Sequence, residues 1–103
     1  MSLPGLDPLI HAPARLQICA ILSAADEAEF AFVREETGVS ESVLSKQVKL
    51  LDEAGYVAVR KATLASRQRT WLALTKAGRA AFAAHMQALT KLAATAANGV
   101  AAA

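Results

Sequence analysis

Between Glu41 and Glu53 the apolar residues Leu44, Val48 and Leu51 recur at i, i+4 and i+7. At about 100° per residue this spacing gathers them on one side of a helix. Ser40 stands in front as an N-cap, its hydroxyl placed to accept from the free N–H groups of the first turn, and Glu41 suits the positive end of the helix dipole. Gly55 closes the helix. Before it, Phe32 to Thr37 reads as a short helix stopped by Gly38, which can take the left-handed conformation of a sharp turn, with Val39 as an apolar plug for the corner. Ala31 to Gly55 is thus predicted to be two helices joined by a tight turn.

The rest of the pattern supports that pair. Leu3 to His11, with Pro4, Gly5 and Pro8, reads as an irregular lead-in. A helix is predicted from about Ala12 or Pro13 to about Ala24, apolar nearly all round (Leu16, Ile18, Cys19, Ala20, Ile21, Leu22), so that it should be central and buried on more than one side. Asp26 to Ala31 is a polar connector with a short extended piece. Beyond Gly55 the period changes from helical to alternating: Tyr56–Arg60 and Arg69–Leu74 read as two strands of a hairpin with its tip around Thr63 to Gln68. Thr75 caps a last helix, Lys76 to about Ala96, with the stripe Phe82, Met86, Leu89 and Ala93 close to a heptad. The prediction is one domain over 1–103, mainly α with a small β-hairpin (α+β), with 1–8 and the alanine-rich tail 97–103 flexible.

Composition narrows the class. At 103 residues the chain can build its own core yet is small enough to gain from oligomerisation. Hydrophobic residues make up 54%, much of it alanine, and no run reaches the roughly 18 apolar residues that span a bilayer. Met1 to Pro8 lacks a cationic start followed by an apolar core, and the single cysteine cannot form an internal disulfide, so a cytoplasmic protein with no membrane partner is expected.

Net charge is only +2, but it is unevenly spread: two basic against seven acidic residues from Met1 to Leu44, eight basic against two acidic from Ser45 to Arg79. A polyanion-binding surface concentrates cations in this way. The side of the second helix opposite its core stripe holds Ser42, Ser45, Lys46 and Lys49, with no carboxylate until Glu53. A solvated face usually mixes Glu with Lys, whereas short donors flanked by lysines suit close approach to phosphates and base edges. The hairpin carries Arg60, Lys61, Arg67 and Arg69. Cations can simply protect exposed edge strands, but beside a basic helix they favour a phosphate or minor-groove contact.

The last helix presents more apolar side chain than three helices and a hairpin can cover. Packing wholly on the first long helix is one solution. A dimer seam shared with that helix, formed by Leu16, Phe82, Met86, Leu89 and Ala93, is the other and the one expected. Other chemistry is sparse. Cys19 reads as a small buried hydrophobe, and His11 and His85 stand at opposite ends without a local partner or enough ligands for zinc. No Gly-rich phosphate loop, carboxylate pair or nucleophile with a nearby base points to an enzyme, and no cofactor or metal is expected.

Three stretches carry a family resemblance: Val39-Ser40-Glu41-Ser42-Val43-Leu44-Ser45-Lys46-Gln47-Val48-Lys49-Leu50-Leu51, then Glu53-Ala54-Gly55-Tyr56-Val57, then Arg69-Thr70-Trp71-Leu72-Ala73-Leu74-Thr75-Lys76-Ala77-Gly78. In this order they resemble the winged helix-turn-helix transcriptional regulators of the MarR and ArsR type, most closely the short stand-alone members. The resemblance implies a three-helix core, a wing and a long C-terminal dimerisation helix. It implies a homodimeric, sequence-specific regulator of double-stranded DNA, a repressor, with a recognition helix in the major groove and a basic wing on the backbone or minor groove. Ser40, Ser42, Ser45, Lys46, Lys49, Lys61, Arg67 and Arg69 are the residues expected at DNA. Metal-sensing members carry a cysteine pair in the helix before the turn, where this chain reads Phe32-Val33-Arg34-Glu35-Glu36. The larger drug-sensing members have more helical mass around a pocket, and nothing here identifies a small-molecule effector. The alternative, from a different class, is a winged-helix module that binds protein and little DNA.

Overall fold

The computed structural model describes residues 3–99. Its elements run α1 (Pro8–His11), α2 (Pro13–Ser23), β1 (Ala28–Glu29), α3 (Phe30–Thr37), α4 (Glu41–Glu53), β2 (Val57–Leu64), β3 (Arg67–Leu74) and α5 (Lys76–Ala97). The three strands form an antiparallel sheet in the order β1-β3-β2, with Val57 opposite Leu74, Leu64 opposite Arg67, and Ala28 opposite Leu72.

Apolar side chains from α1 to β3 meet in one core: Ile10, Ile18, Cys19, Leu22, Val33, Leu44, Leu51, Val57 and Leu72 are buried. The stripe on α4 does what its spacing requires, with Leu44, Val48 and Leu51 inward. The turn before it also follows the sequence. Gly38 is left-handed at φ 72°, its N–H donates to the Arg34 carbonyl, and the Ser40 hydroxyl accepts from the Val43 N–H at 3.2 Å. The α2 helix is central, but its burial is one-sided: Ile18, Cys19 and Leu22 face the core, Leu16 and Ile21 are half-buried, and Ala20 is exposed.

Several boundaries differ from the sequence expectation. The lead-in contains the short helix α1, because Asp7 acts as N-cap, its Oδ1 accepting from the Leu9 and Ile10 N–H groups, and Pro8 opens the first turn. Residues 3–7 precede it against α5, and the Asp7 N–H donates to His85. The α3 helix starts at Phe30, two residues earlier than predicted. Both strands extend toward the tip, so the predicted loop from Thr63 to Gln68 contracts to two residues, Ala65 and Ser66, at φ 52° and 67°. Backbone pairing here outlasts the side-chain alternation on which strand prediction relies. The tail beyond Gly99 lies outside the described residues.

Thr75 caps α5 through the Gly78 N–H. Along this helix the predicted stripe divides. Phe82 packs against the chain's own core, as does Leu16 of α2, whereas Met86 is 41% exposed and Leu92, absent from the predicted stripe, is 49% exposed. Leu89 is half-buried and Ala93 exposed. Among the described residues no helix is long and apolar enough to cross a membrane.

Candidate nucleic-acid interface

Because the buried stripe fixes the rotation of α4, its opposite side is set without further contacts. Ser42, Ser45, Lys46 and Lys49 are all placed there, away from the core, as is Ser40 at the helix start. Ser40 is partly committed: its hydroxyl caps the helix and lies 3.3 Å from the Ser42 Oγ. The free N–H groups at this end add a partial positive charge.

The wing stands beside this helix. A groove between α4 and the sheet is lined by Ser45 and Lys49 on one wall and Lys61 and Thr70 on the other, so helix and wing cations look into a shared space. Glu41 and Asp52 border the same groove. A second hollow, between the start of α3 and the wing, is lined by Glu29, Glu41, Arg67 and Arg69.

The wing cations are not equivalent. Arg60 donates twice to Glu27, through Nη2 at 2.5 Å and Nε at 3.3 Å, and its guanidinium lies 5.6 Å from the centre of the Trp71 ring. Arg69, half-buried, pairs with Glu29 at 3.3 Å. Lys46, Lys49, Lys61 and Arg67 make no ion pair among the described residues. Of the two, Arg60–Glu27 is exposed, and an exposed pair is worth about 0–1 kcal/mol, so a phosphate can displace its carboxylate at little cost. Of the eight residues predicted at DNA, Ser45, Lys49 and Lys61 thus line one groove and Arg67 and Arg69 a neighbouring hollow, Arg69 already partnered.

Two functional features have no linear signal. Arg15 of α2 donates through Nε to the Leu9 carbonyl of α1 and through Nη1 to Gln47 Oε1 of α4, both at 2.6 Å. Gln47 is thereby held half-buried, fixing α4 from its inner side. The histidines at opposite ends of the chain, each without a local partner, meet across the fold: His11 Nδ1 lies 3.3 Å from His85 Nε2, closing a separation of 74 residues. Only the Asp7-Pro8 helix-start pair could have drawn notice to this corner.

Titration shifts concentrate there. Burial pushes the Asp7 carboxyl up, but hydrogen bonds from Tyr56 and from the Leu9 and Ile10 N–H groups, with the nearby His85, bring it below its ordinary value. The Tyr56 hydroxyl is raised by donating to Asp7 at 2.6 Å and by burial. Burial and the Asp7 charge raise Cys19 to about 11, Arg15 offsetting part, so the thiol stays protonated and unreactive near neutrality. No group of three or more His, Cys, Asp or Glu among the described residues is arranged to hold a metal.

The chain is similar to proteins of one kind. The family model for the winged helix DNA-binding domain matches residues 14–93. Uncharacterized protein MJ0432 of Methanocaldococcus jannaschii is 26% identical over 84 residues, 82% of this chain and 91% of that protein. A transcriptional regulator homologue from Pyrococcus horikoshii superposes with a TM-score of 0.78 at 22% identity, over 90% of this chain and 88% of its own. The PcaV transcriptional regulator from Streptomyces coelicolor, solved with its natural ligand, gives 0.75 at 18% identity, over 94% and 67%.

Proposed function

We propose, since the chain belongs to the winged helix DNA-binding domain family, that it is a MarR-like transcriptional regulator that binds double-stranded DNA as a homodimer and represses by occupying a promoter. The observation that carries this reading is the outer side of α4, where Ser42, Ser45, Lys46 and Lys49 stand opposite a fully used core stripe and where Ser45 and Lys49 share a groove with Lys61 of the wing. Hydroxyls and lysines there can reach base edges and phosphates in a major groove, while Arg67 and an opened Arg69 reach the backbone or minor groove. We place the protein in the cytoplasm and assign it no enzymatic role.

The dimer reading rests on α5. Met86 and Leu92 are exposed on α5, Leu92 beside a shallow hollow that Leu3 and Pro4 only border, and burying one such side chain fully is worth roughly 1.5–3 kcal/mol. A two-fold pairing through Met86, Leu89, Leu92 and Ala93 presents two identical recognition helices. Its site is then an inverted repeat with half-site centres about 34 Å apart, or a small multiple of that.

A second reading, a winged-helix module that binds protein, is favoured by one observation: Glu27 and Glu29 already neutralise Arg60 and Arg69. Titration of a random duplex at several salt concentrations separates the two. A DNA-binding face gives affinity that falls steeply as salt rises. An interaction module gives almost no binding at any salt.

A further inference from the structure

Among the described residues His85 is the buried polar side chain, fully enclosed in the middle of α5, and both of its ring nitrogens face the N-terminal segment. Nδ1 accepts from the Asp7 backbone N–H at 3.0 Å. An accepting ring nitrogen carries no proton, so the ring proton resides on Nε2 and is donated to His11 Nδ1 at 3.3 Å. This arrangement admits only the neutral His85 ring: a proton on Nδ1 would set N–H against the N–H of Asp7.

We propose that His85 is a proton-controlled latch, whose protonation undocks α1 from α5 and releases the Arg15 bridge that fixes the recognition helix α4. The path runs through Arg15 and Tyr56. With α1 displaced, Arg15 loses the Leu9 carbonyl that orients its guanidinium toward Gln47 of α4. Tyr56, which follows α4, loses Asp7. The effect on duplex binding rests on the DNA-binding reading above; the latch itself does not.

The groups around the ring agree in direction. From α1, His11 opposes a charge on His85, whereas the Asp7 carboxylate favours one. That carboxylate is already engaged, however, Oδ1 by Leu9 and Ile10 and Oδ2 by Tyr56. From α2 come the protonated Cys19 thiol and, beyond it, Arg15. β3 offers no titratable side chain from Thr70 to Leu74, and α5 none from Ala80 to Thr90 apart from His85 itself. Burial first, then His11, lowers the pKa of His85 below its ordinary 6.5 despite Asp7. A group lowered on folding stabilises the docked state fully above 6.5 and ceases to do so as pH falls through the folded value. One proton changes the opening equilibrium by at most about tenfold per pH unit.

Amide exchange of Asp7 and His11, measured by NMR on the full chain from pH 7.5 to 5 and corrected for intrinsic rates, tests the latch. Opening should rise by up to about tenfold per pH unit between 6.5 and the lowered His85 midpoint, and level off below it. The step should vanish in His85→Asn, whose side-chain oxygen can still accept from Asp7 but takes no proton. In His11→Ala it should persist and move to higher pH. A step that survives His85→Asn, or unchanged protection across the range, overturns the proposal. Should His85→Asn fail to fold, the ring nitrogen shifts of His85 in the unmodified chain decide: opening that rises below pH 6.5 and levels off where the ring titrates supports the latch, and opening that stays flat until after the ring has titrated refutes it. Affinity for a random duplex at fixed ionic strength should weaken in the same window. Constant affinity there severs the link to α4, whereas no duplex binding at any pH sinks the DNA reading and leaves the exchange result standing.

Discussion

A side chain at position 78 would begin inside the carbonyl of Tyr56: a Cβ built on Gly78 overlaps that oxygen and lies 2.9 Å from its carbon. The first turn of α5 lies directly on the chain leaving α4, and Thr75 ties the same corner by accepting from Gly78 and donating to the Gly55 carbonyl at 2.6 Å. Alanine usually improves a helix interior by about 1 kcal/mol over glycine. Here the backbone must separate to admit it, so Gly78→Ala should destabilise the domain by about 1–3 kcal/mol. A urea midpoint equal to or above that of the original chain would contradict the close approach.

On α4, Lys46→Ala and Lys49→Ala should each weaken duplex binding while leaving the circular dichroism spectrum unchanged, since both side chains lie opposite the core. Removing one phosphate-binding lysine should reduce the slope of log affinity against log salt by about 0.9. Unchanged binding by the double variant would remove this helix from the interface. Arg67→Ala should lower affinity for all sequences alike, because a wing arginine reads backbone or groove width.

The wing turn holds two non-glycine residues, Ala65 and Ser66, at positive φ. A left-handed conformation costs such a residue about 1–2 kcal/mol, and two-residue hairpin turns prefer Asn-Gly for that reason. Replacing Ala65 and Ser66 by Asn and Gly should stabilise the hairpin by about 1 kcal/mol, seen as a rise of about 4–8 °C in Tm. A fall in Tm would show that the turn has another shape.

Tyr56→Phe removes the hydroxyl that donates to the Asp7 carboxylate, a hydrogen bond to a charged group worth about 1.5–3 kcal/mol. The Asp7 pKa is lowered on folding from 3.8, so the stability it supplies is present above that value and lost below it. The difference in stability between the two proteins should therefore be full near pH 6 and shrink below about pH 4. A difference that stays constant into acid would place the effect of Tyr56 elsewhere.

Met86→Glu or Leu92→Glu should give a folded monomer with operator affinity reduced by about a hundredfold, as two linked half-sites become one. Sedimentation at micromolar concentration checks the premise. A mass near 10.8 kDa for the unmodified chain would rule out the pairing and the inverted repeat with it.

What could be read in advance tracks sequence distance. The α4 stripe, the Gly38 turn and the Ser40 and Thr75 caps are local, set by residues within a turn of one another, and each lies where its spacing indicated. The α1 helix was hidden because four residues contain no period, although Asp7 and Pro8 announce its start. The His11–His85 contact, the Arg15 bridge and the pairing of Arg60 and Arg69 with glutamates depend on elements meeting across the fold. For the same reason Leu16 and Phe82 could not be divided from Met86 by stripe alone: all are apolar at suitable spacing, and only tertiary packing determines which ones the domain uses for itself.

Glu27 and Glu29, flanking and within the edge strand β1, give this wing a resident competitor. Their carboxylates already occupy Arg60 and Arg69, so in the DNA-binding reading those arginines would meet a duplex neutralised by the protein itself and not by diffusible anions. Each must exchange one oxyanion for another, a transfer that releases little salt to solution. Counterion release would then undercount the arginines that touch phosphate.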